Sequence, residues 1–416
     1  MKVLMIVEQC NPDWPSVPLV AYNFYHEISQ LVDVTLVTHE RNRESLEKLH
    51  PGNKIIYMPE SNLTKKYYRL VESLVAKQRY IWPLYHTLAY PIYAEFNNNV
   101  YKNLKAEILR GDYDIVHALT PMMPRYPYKI VKVCKDTPFI LGPVNGGVPF
   151  PPGFQETAKK EDANFNFLRA IGRALIPGYA ETYKKAHKIL AGSTYTLQML
   201  KGFFAIPDNK ISLFYENGIT QEFFAEPKQP KKEGPIELLF AGRLVPYKCA
   251  DVVIEALGKL DRELQNKLRL TIVGDGPEKA NLEARVRELE LENKVFFAGW
   301  VKQEQTKEFY RKADIFCFPS IREFGGAVVM EAMAGGLPCI VADYGGIGEY
   351  VTPETGFKIE PVSREFLMQE VSEKIKLLVE DEPLRSNMSA KAIERAKEFE
   401  WSYKAAEIVK IYEDVV

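Results

Sequence analysis

Cysteine is scarce in this 416-residue chain: five residues (Cys10, Cys134, Cys249, Cys317, Cys339), odd in number, widely spaced and without a CxxC pair. That pattern excludes a disulfide framework and a zinc knuckle and makes a reducing cytoplasm the expected setting. A long apolar run is also missing. The longest uncharged stretch, residues 137–155, holds five Pro and four Gly, so it cannot be a spanning helix. Neither sign of charge is in excess, with Lys plus Arg at 54 against Asp plus Glu at 55 and a net charge of −1. A dedicated DNA- or RNA-binding protein would carry a basic surplus, so nucleic acid is not an expected partner, although a local basic face is compatible with the balance. The opening MKVLMIVEQC is too short in its apolar part for a signal peptide and reads as a buried first strand.

What is present is an ordinary soluble composition, 46% apolar and 26% charged, which excludes a disordered chain. The length exceeds one compact core, so two domains are expected. Short β-branched runs alternate with helical patterns. Strands are predicted at 2–7, 34–38, 114–117, 138–141, 188–191 and 211–214, then at 237–240, 269–273, 294–297, 314–318 and 338–342. Apolar runs without alternation, separated by helices, indicate parallel strands buried on both faces. The helix after Pro277 carries Leu282, Val286 and Leu289 on one stripe. Residues 225–235, AEPKQPKKEGP, form the natural linker. The expected organisation is thus a first α/β domain over 1–224 and a second over 236–400. The amphipathic segment 401–416 is a candidate to join the first. Two doubly wound halves facing across a cleft would bind ligands on the loops that follow their strands.

The richest such loop is SIREFGGAVVME, residues 320–331, continuing as AMAGGLP. Glu323 and Glu331 stand eight apart, the first in the loop and the second inside the helix that Gly325 and Gly326 open. A glycine-led helix start offers unpaired N–H groups and a positive dipole end to a phosphate. Carboxylates accept hydrogen bonds from vicinal hydroxyls, making Glu331 a candidate for a ribose and Glu323 for a sugar ring. Two glutamates at that spacing also occur by chance in most proteins.

The setting EFGGAVVMEAMAGGLPCIVADYGGIGE resembles the donor-site signature of family 4 glycosyltransferases (glycosyl transferases group 1), which have the two-domain GT-B fold. The likeness continues through AGRLVPYKCADVVIEAL, VGDGPEKANLEA and FFAGWV, in the family's order, from about residue 236 to 350. It implies a diphosphate held by Arg243 and Lys248, which combine a planar fork with a point charge and need no metal. It further implies close backbone approach at Gly242, a ribose on Glu331 and the transferred sugar on Glu323. Backbone contacts would come from Phe324, Gly325, Gly326 and Ala327, with the base near Gly274, Trp300 and Val301. A nicotinamide reading of Gly274-Asp275-Gly276 fails because Lys279 stands where a Rossmann fingerprint needs Gly or Ala. Asp112-Tyr113-Asp114 has the D-x-D form of metal-dependent transferases, but it directly precedes a buried strand and reads as that strand's start.

In the first half, DYDIVHALTP resembles the family's strand-end motif with a functional histidine, pointing to His117; Leu119 occupies the place of a second histidine. The first loop, EQCNPDWPSVPLV, has three prolines where relatives carry a Gly-Gly pair. GPVNGGVPFPPGF resembles a GPxGGG loop, which assigns Asn145, Gly146 and Gly147 to the acceptor side. Glu216-Asn217-Gly218-Ile219 matches the turn that ends the first domain, with Thr220 for the usual Asp. Residues 61–110 hold seven Tyr, Trp82 and Phe96, with eight Lys or Arg against three Glu. That composition suits an anionic membrane surface or a glycolipid acceptor, and solvated helices with aromatic cores would look the same. The resemblance therefore implies a retaining, metal-independent hexosyltransferase without a resident cofactor. UDP-glucose is the first expected donor, and a saccharide or lipid-linked saccharide at the inner membrane face the expected acceptor. A GT-B-fold sugar-nucleotide epimerase and a noncatalytic nucleotide-sugar-binding protein are the rival readings.

Overall fold

Two parallel sheets organise the chain in this computed structural model, which describes residues 1–75, 85, 87–161, 172, 175–228 and 234–416. The first contains β1 (Lys2–Val7), β2 (Asp33–His39), β3 (Ile55–Met58), β4 (Ile115–Thr120), β5 (Phe139–Val144), β6 (Lys188–Ala191) and β7 (Ile211–Leu213). Its order is β3-β2-β1-β4-β5-β6-β7, parallel throughout. The second contains β8 (Ile236–Ala241), β9 (Leu268–Val273), β10 (Val295–Gly299), β11 (Ile315–Phe318), β12 (Cys339–Ala342) and β13 (Gly356–Ile359). Its order is β10-β9-β8-β11-β12-β13, again parallel. These are doubly wound, Rossmann-like sheets, and each reverses its strand order once, between β1 and β4 and between β8 and β11.

β1 explains why such strands read as unbroken apolar runs. Leu4 and Ile6 enter one buried cluster, while Val3, Met5 and Val7 enter another on the opposite face. A period of two sends alternate side chains to the two faces, and helices cover both. The two strands that the pattern did not announce, β3 and β13, each lie at one edge of their sheets, whose other edges, β7 and β10, were expected. An edge strand is covered less completely: Ile55, Ile56 and Tyr57 are only partly buried, and Lys358 is exposed.

The chain divides into Met1–Gly147, Asp162–Glu216 and Trp401–Val416 as one unit, and Val148–Glu161 with Asn217–Glu400 as the other. The division falls ahead of the proline-rich linker, of which residues 229–233 lie outside the described residues. Residues 217–225 are tied to the second unit because Ile219 N–H donates to Phe399 O at 2.9 Å and Ala225 N–H to Ala334 O at 3.0 Å. The C-terminal helix Trp401–Val415 belongs with the first unit. Trp401 meets Phe24 edge-on at 4.9 Å between ring centroids, and the buried Lys404 donates to Tyr215 O at 2.6 Å. In the aromatic stretch, Tyr93 and Phe96 of the helix Tyr90–Arg110 are core residues, and Trp82 lies outside the described residues.

β4 runs three residues beyond the expected end, and this changes the standing of His117. Instead of closing a strand it lies within one, fully buried, with both ring nitrogens engaged. Nε2 lies 2.6 Å from Gly142 O, and Nδ1 lies 2.6 Å from Tyr412 Oη. A carbonyl only accepts, so Nε2 carries the proton and Nδ1 accepts from the tyrosine. His117 therefore clamps β4 and β5 to the C-terminal helix and presents no nitrogen to a ligand. Burial pulls its pKa down to about 4, against the raising effect of the Gly142 bond. An unfolded histidine titrates near 6.5, so the unfolded chain takes up the proton first as pH falls, and stability drops between these values. The expected loss on going from pH 7 to pH 5 is about 2 kcal/mol. Urea midpoints of wild type and His117→Gln at both pH values should differ by that increment; identical pH dependence would refute the clamp.

Candidate functional site

At the switch point of the second sheet, four strand ends deliver their loops side by side. β8 and β11 are adjacent, so the loop from Gly242 to Lys248 lies beside the loop from Ser320 to Gly326. Backbone bonds stitch the neighbouring turns together: Gly242 N–H donates to Val273 O at 2.9 Å, Leu244 N–H to Asp275 O at 2.9 Å and Gly274 N–H to Gly299 O at 2.8 Å. Gly274 is demanded here twice over. Its φ of +138° suits glycine, and a Cβ would run into the Gly242 carbonyl.

Lys248 and Glu323 form the centre of the arrangement, with Nζ 2.5 Å from Oε1 and side chains only 14% and 11% exposed. The Ser320 hydroxyl lies 3.0 Å from the same Oε1 and 3.1 Å from Tyr247 O, while Ile321 N–H donates to Tyr247 O at 3.0 Å. Phe318, at the end of β11, lies under the ammonium with its ring centre 4.9 Å from Nζ. Burial opposes the charge on Lys248, but Glu323, supported by Tyr247, outweighs it and holds the lysine above its ordinary pKa. Arg243 is exposed, and among the described residues its guanidinium has no hydrogen-bond or ion-pair partner. One cation is thus neutralised in place and the other is available.

Glu323 is also held by its backbone, bridged to Gly345, with Gly346 N–H donating to Glu323 O at 3.1 Å. Phe324 and Gly325 lead into Gly326, the N-cap of the helix Ala327–Ala334, whose φ of +55° and contact with Ile347 again call for glycine. The first-turn N–H groups of that helix follow directly on Glu323. Glu331, one turn before the helix ends, is buried and accepts from Tyr310 Oη at 2.8 Å. Trp300 is largely exposed after β10, beside the partly buried Val301. All the donor-side residues expected from sequence therefore lie on one unit, at the carboxyl ends of neighbouring strands or on the helix that follows β11. Ser320, Tyr247, Tyr310 and Arg322 were not foreseen; a hydroxyl or ring that serves a neighbour's carboxylate leaves no spacing signal.

The first unit presents a more closed picture. Asn145, after β5, donates from Nδ2 to Glu216 Oε2 at 2.6 Å and accepts at Oδ1 from Ser193 Oγ and Thr196 Oγ1, each at 2.8 Å. Its amide maintains the loop's shape rather than facing a ligand. Gly146 is buried and exchanges hydrogen bonds with Thr196, and Gly147 is partly buried against Met199. Asp112 pairs with Arg110 at 2.6 Å and Asp114 accepts from Lys2 N–H at 2.7 Å, so both are spent at the start of β4. Among the described residues no group of three or more His, Cys, Asp or Glu could hold a metal ion.

Removing one member of a largely buried ion pair leaves the other charge unpaired, which costs about 3 kcal/mol, whereas removing both costs much less. Lys248→Met should lower the thermal transition accordingly, and adding Glu323→Leu should recover most of the loss. Additive losses in the double variant would show that the pair does not exist in solution.

The profile of the family "Glycosyl transferases group 1" matches residues 221–395. A D-inositol 3-phosphate glycosyltransferase of Corynebacterium glutamicum is 33% identical over 184 residues, 42% of this chain and 43% of the relative. An N-acetyl-alpha-D-glucosaminyl L-malate synthase of Bacillus anthracis is 34% identical over 199 residues, 46% of this chain and 49% of the relative. The alignment thus spans less than half the length of these curated relatives. Among solved structures, Anabaena HepE in complex with UDP (TM-score 0.62) and the lipopolysaccharide outer core galactosyltransferase WaaB (TM-score 0.65) each match 100% of both chains at 16% identity. At that identity the likeness concerns the fold, which is GT-B. Residues 221–395, with their loops in that family's order at the ends of a doubly wound sheet, are thus similar to the glycosyl transferases group 1.

Proposed function

We propose that the protein is a nucleotide-sugar-dependent glycosyltransferase whose donor occupies the switch point of the second sheet. The observation that carries this reading is the buried Lys248–Glu323 pair beside Arg243, which has no partner among the described residues. A departing nucleotide diphosphate carries roughly two negative charges. Arg243 supplies a planar fork for it and Lys248 a point charge, in a site already organised before the donor arrives. The start of the helix Ala327–Ala334 adds N–H groups and the positive end of its dipole. Glu323 takes hydroxyls of the transferred sugar and Glu331 those of the ribose, its carboxylate oriented by Tyr310. The bond from the anomeric carbon to the diphosphate breaks, and one to an acceptor hydroxyl forms with retention of configuration. No metal is required in this scheme, because the two cations stabilise the leaving group.

UDP-glucose is the donor of first choice; the HepE neighbour was crystallised with UDP-glucose as well as UDP. The acceptor is a saccharide or lipid-linked saccharide, for which Gly146 and Gly147 supply backbone. In this reading Asn145 and His117 shape the first unit's loops without touching substrate. A peripheral encounter with the cytoplasmic membrane face is supported by the helix Asn62–Val75. There Leu63 and Leu70, seven residues apart and 78% and 53% exposed, lie among Lys65, Lys66 and Arg69.

Arg243→Ala offers a clean test, because an exposed side chain with no partner among the described residues is removed at a stability cost within about 0.5 kcal/mol. Transfer should fall by about 10²–10³ with an unchanged melting temperature. Calorimetry should rank UDP above GDP and ADP, and EDTA should leave UDP release unaffected. Wild-type activity in Arg243→Ala, or strict metal dependence, would overturn the assignment. Conversion of UDP-glucose by the enzyme alone would favour an epimerase, and tight UDP binding without release under any acceptor a binding protein.

A further inference from the structure

Arg322 adjoins Glu323 in the loop after β11, and nothing in the transfer scheme uses it. Its Nε–H donates to Val148 O at 3.2 Å. The guanidinium carbon lies 4.8 Å from the centre of the Phe150 ring and 5.6 Å from that of Phe324. Two rings and a carbonyl therefore hold the plane of the fork, leaving both Nη groups without a partner among the described residues. The adjacent carboxylate, Glu323, is taken by Lys248 at 2.5 Å. Glu161 acts on the guanidinium only through its field and forms no ion pair with it. Burial pulls the arginine below its ordinary pKa, which no nearby charge fully offsets. A largely buried cation is ordinarily paired, because desolvation is otherwise uncompensated. Anchoring the segment that carries Val148 and Phe150 would need only the Nε bond and the stacking; it gives the outer edge of the fork no occupant.

We propose that Arg322 is a specificity residue whose Nη groups receive a carboxylate or phosphate oxyanion lying beside the transferred sugar. That group is carried either by the donor, as a hexuronate, or by the acceptor, as a sugar phosphate. The inference rests on the donor site proposed above and refines its substrate class. A planar fork held by ring stacking matches the two oxygens of such a group, whereas an ammonium would meet them as a point charge.

The test uses the full chain as wild type, Arg322→Lys and Arg322→Gln. Calorimetry compares UDP, UDP-glucose and UDP-glucuronate, and UDP release from UDP-glucose is followed with glucose or glucose 6-phosphate as acceptor. If the donor carries the anion, UDP-glucuronate should bind about tenfold more tightly than UDP-glucose. If the acceptor carries it, glucose 6-phosphate should outpace glucose by a similar factor. Either preference should vanish in Arg322→Gln and survive only in part in Arg322→Lys, while UDP alone binds all three proteins equally. A purely anchoring arginine would weaken UDP binding or lower the melting temperature and leave both ratios unmoved. That result, or an anion preference that persists in Arg322→Gln, overturns the proposal while the donor site stands. A wild-type protein that binds no UDP would remove the donor site and this inference together.

Discussion

The ion pair between Lys248 and Glu323 is the constraint around which the second unit's loops are arranged. An ammonium and a carboxylate so nearly buried are tolerable only together; Phe318 lies under the ammonium, and the Ser320 hydroxyl, itself beside Tyr247 O, lies against the carboxylate. The pair can exist because β8 and β11, remote in sequence, are neighbours where the strand order reverses. The glycines around it then follow from crowding, since the turns after β8 and β9 approach too closely for a side chain at Gly274. A site formed this way is preorganised: its charges stand in place without a ligand, and little reorganisation is needed when one arrives.

The same topology in the first unit has been put to different use. There Asn145, after β5, joins Glu216, Ser193 and Thr196. His117 joins Gly142 to the C-terminal helix. These are closed, satisfied networks that rigidify a loop and leave its backbone as what it offers outward.

Much of this was legible in the residues. The buried strands of both sheets were readable because two-sided burial demands unbroken β-branched runs, and β1 and β6 agree with the expectation at both ends. The edge strands β3 and β13, four residues each, escaped because so short and partly buried a run carries little pattern. The loops after β8 and β11 stood out because glycines, carboxylates and cations recur there at family spacing. Ser320, Tyr310 and Arg322 did not, since their significance depends on which atoms lie within 3 to 6 Å of them in space.

Periodicity and loop composition therefore determined the class of fold, the two-part organisation and the glutamates of the loop after β11, while the family resemblance singled out Arg243 and Lys248. Only the tertiary structure decided which of those charges are paired, that His117 is enclosed within a strand, and that the C-terminal helix returns to the first unit. The reason is physical: burial of an apolar face is imprinted along the chain at the period of its own element. Neutralisation of a charge or saturation of a ring nitrogen depends instead on a partner far along the chain, as Glu323 is from Lys248 and Tyr412 from His117.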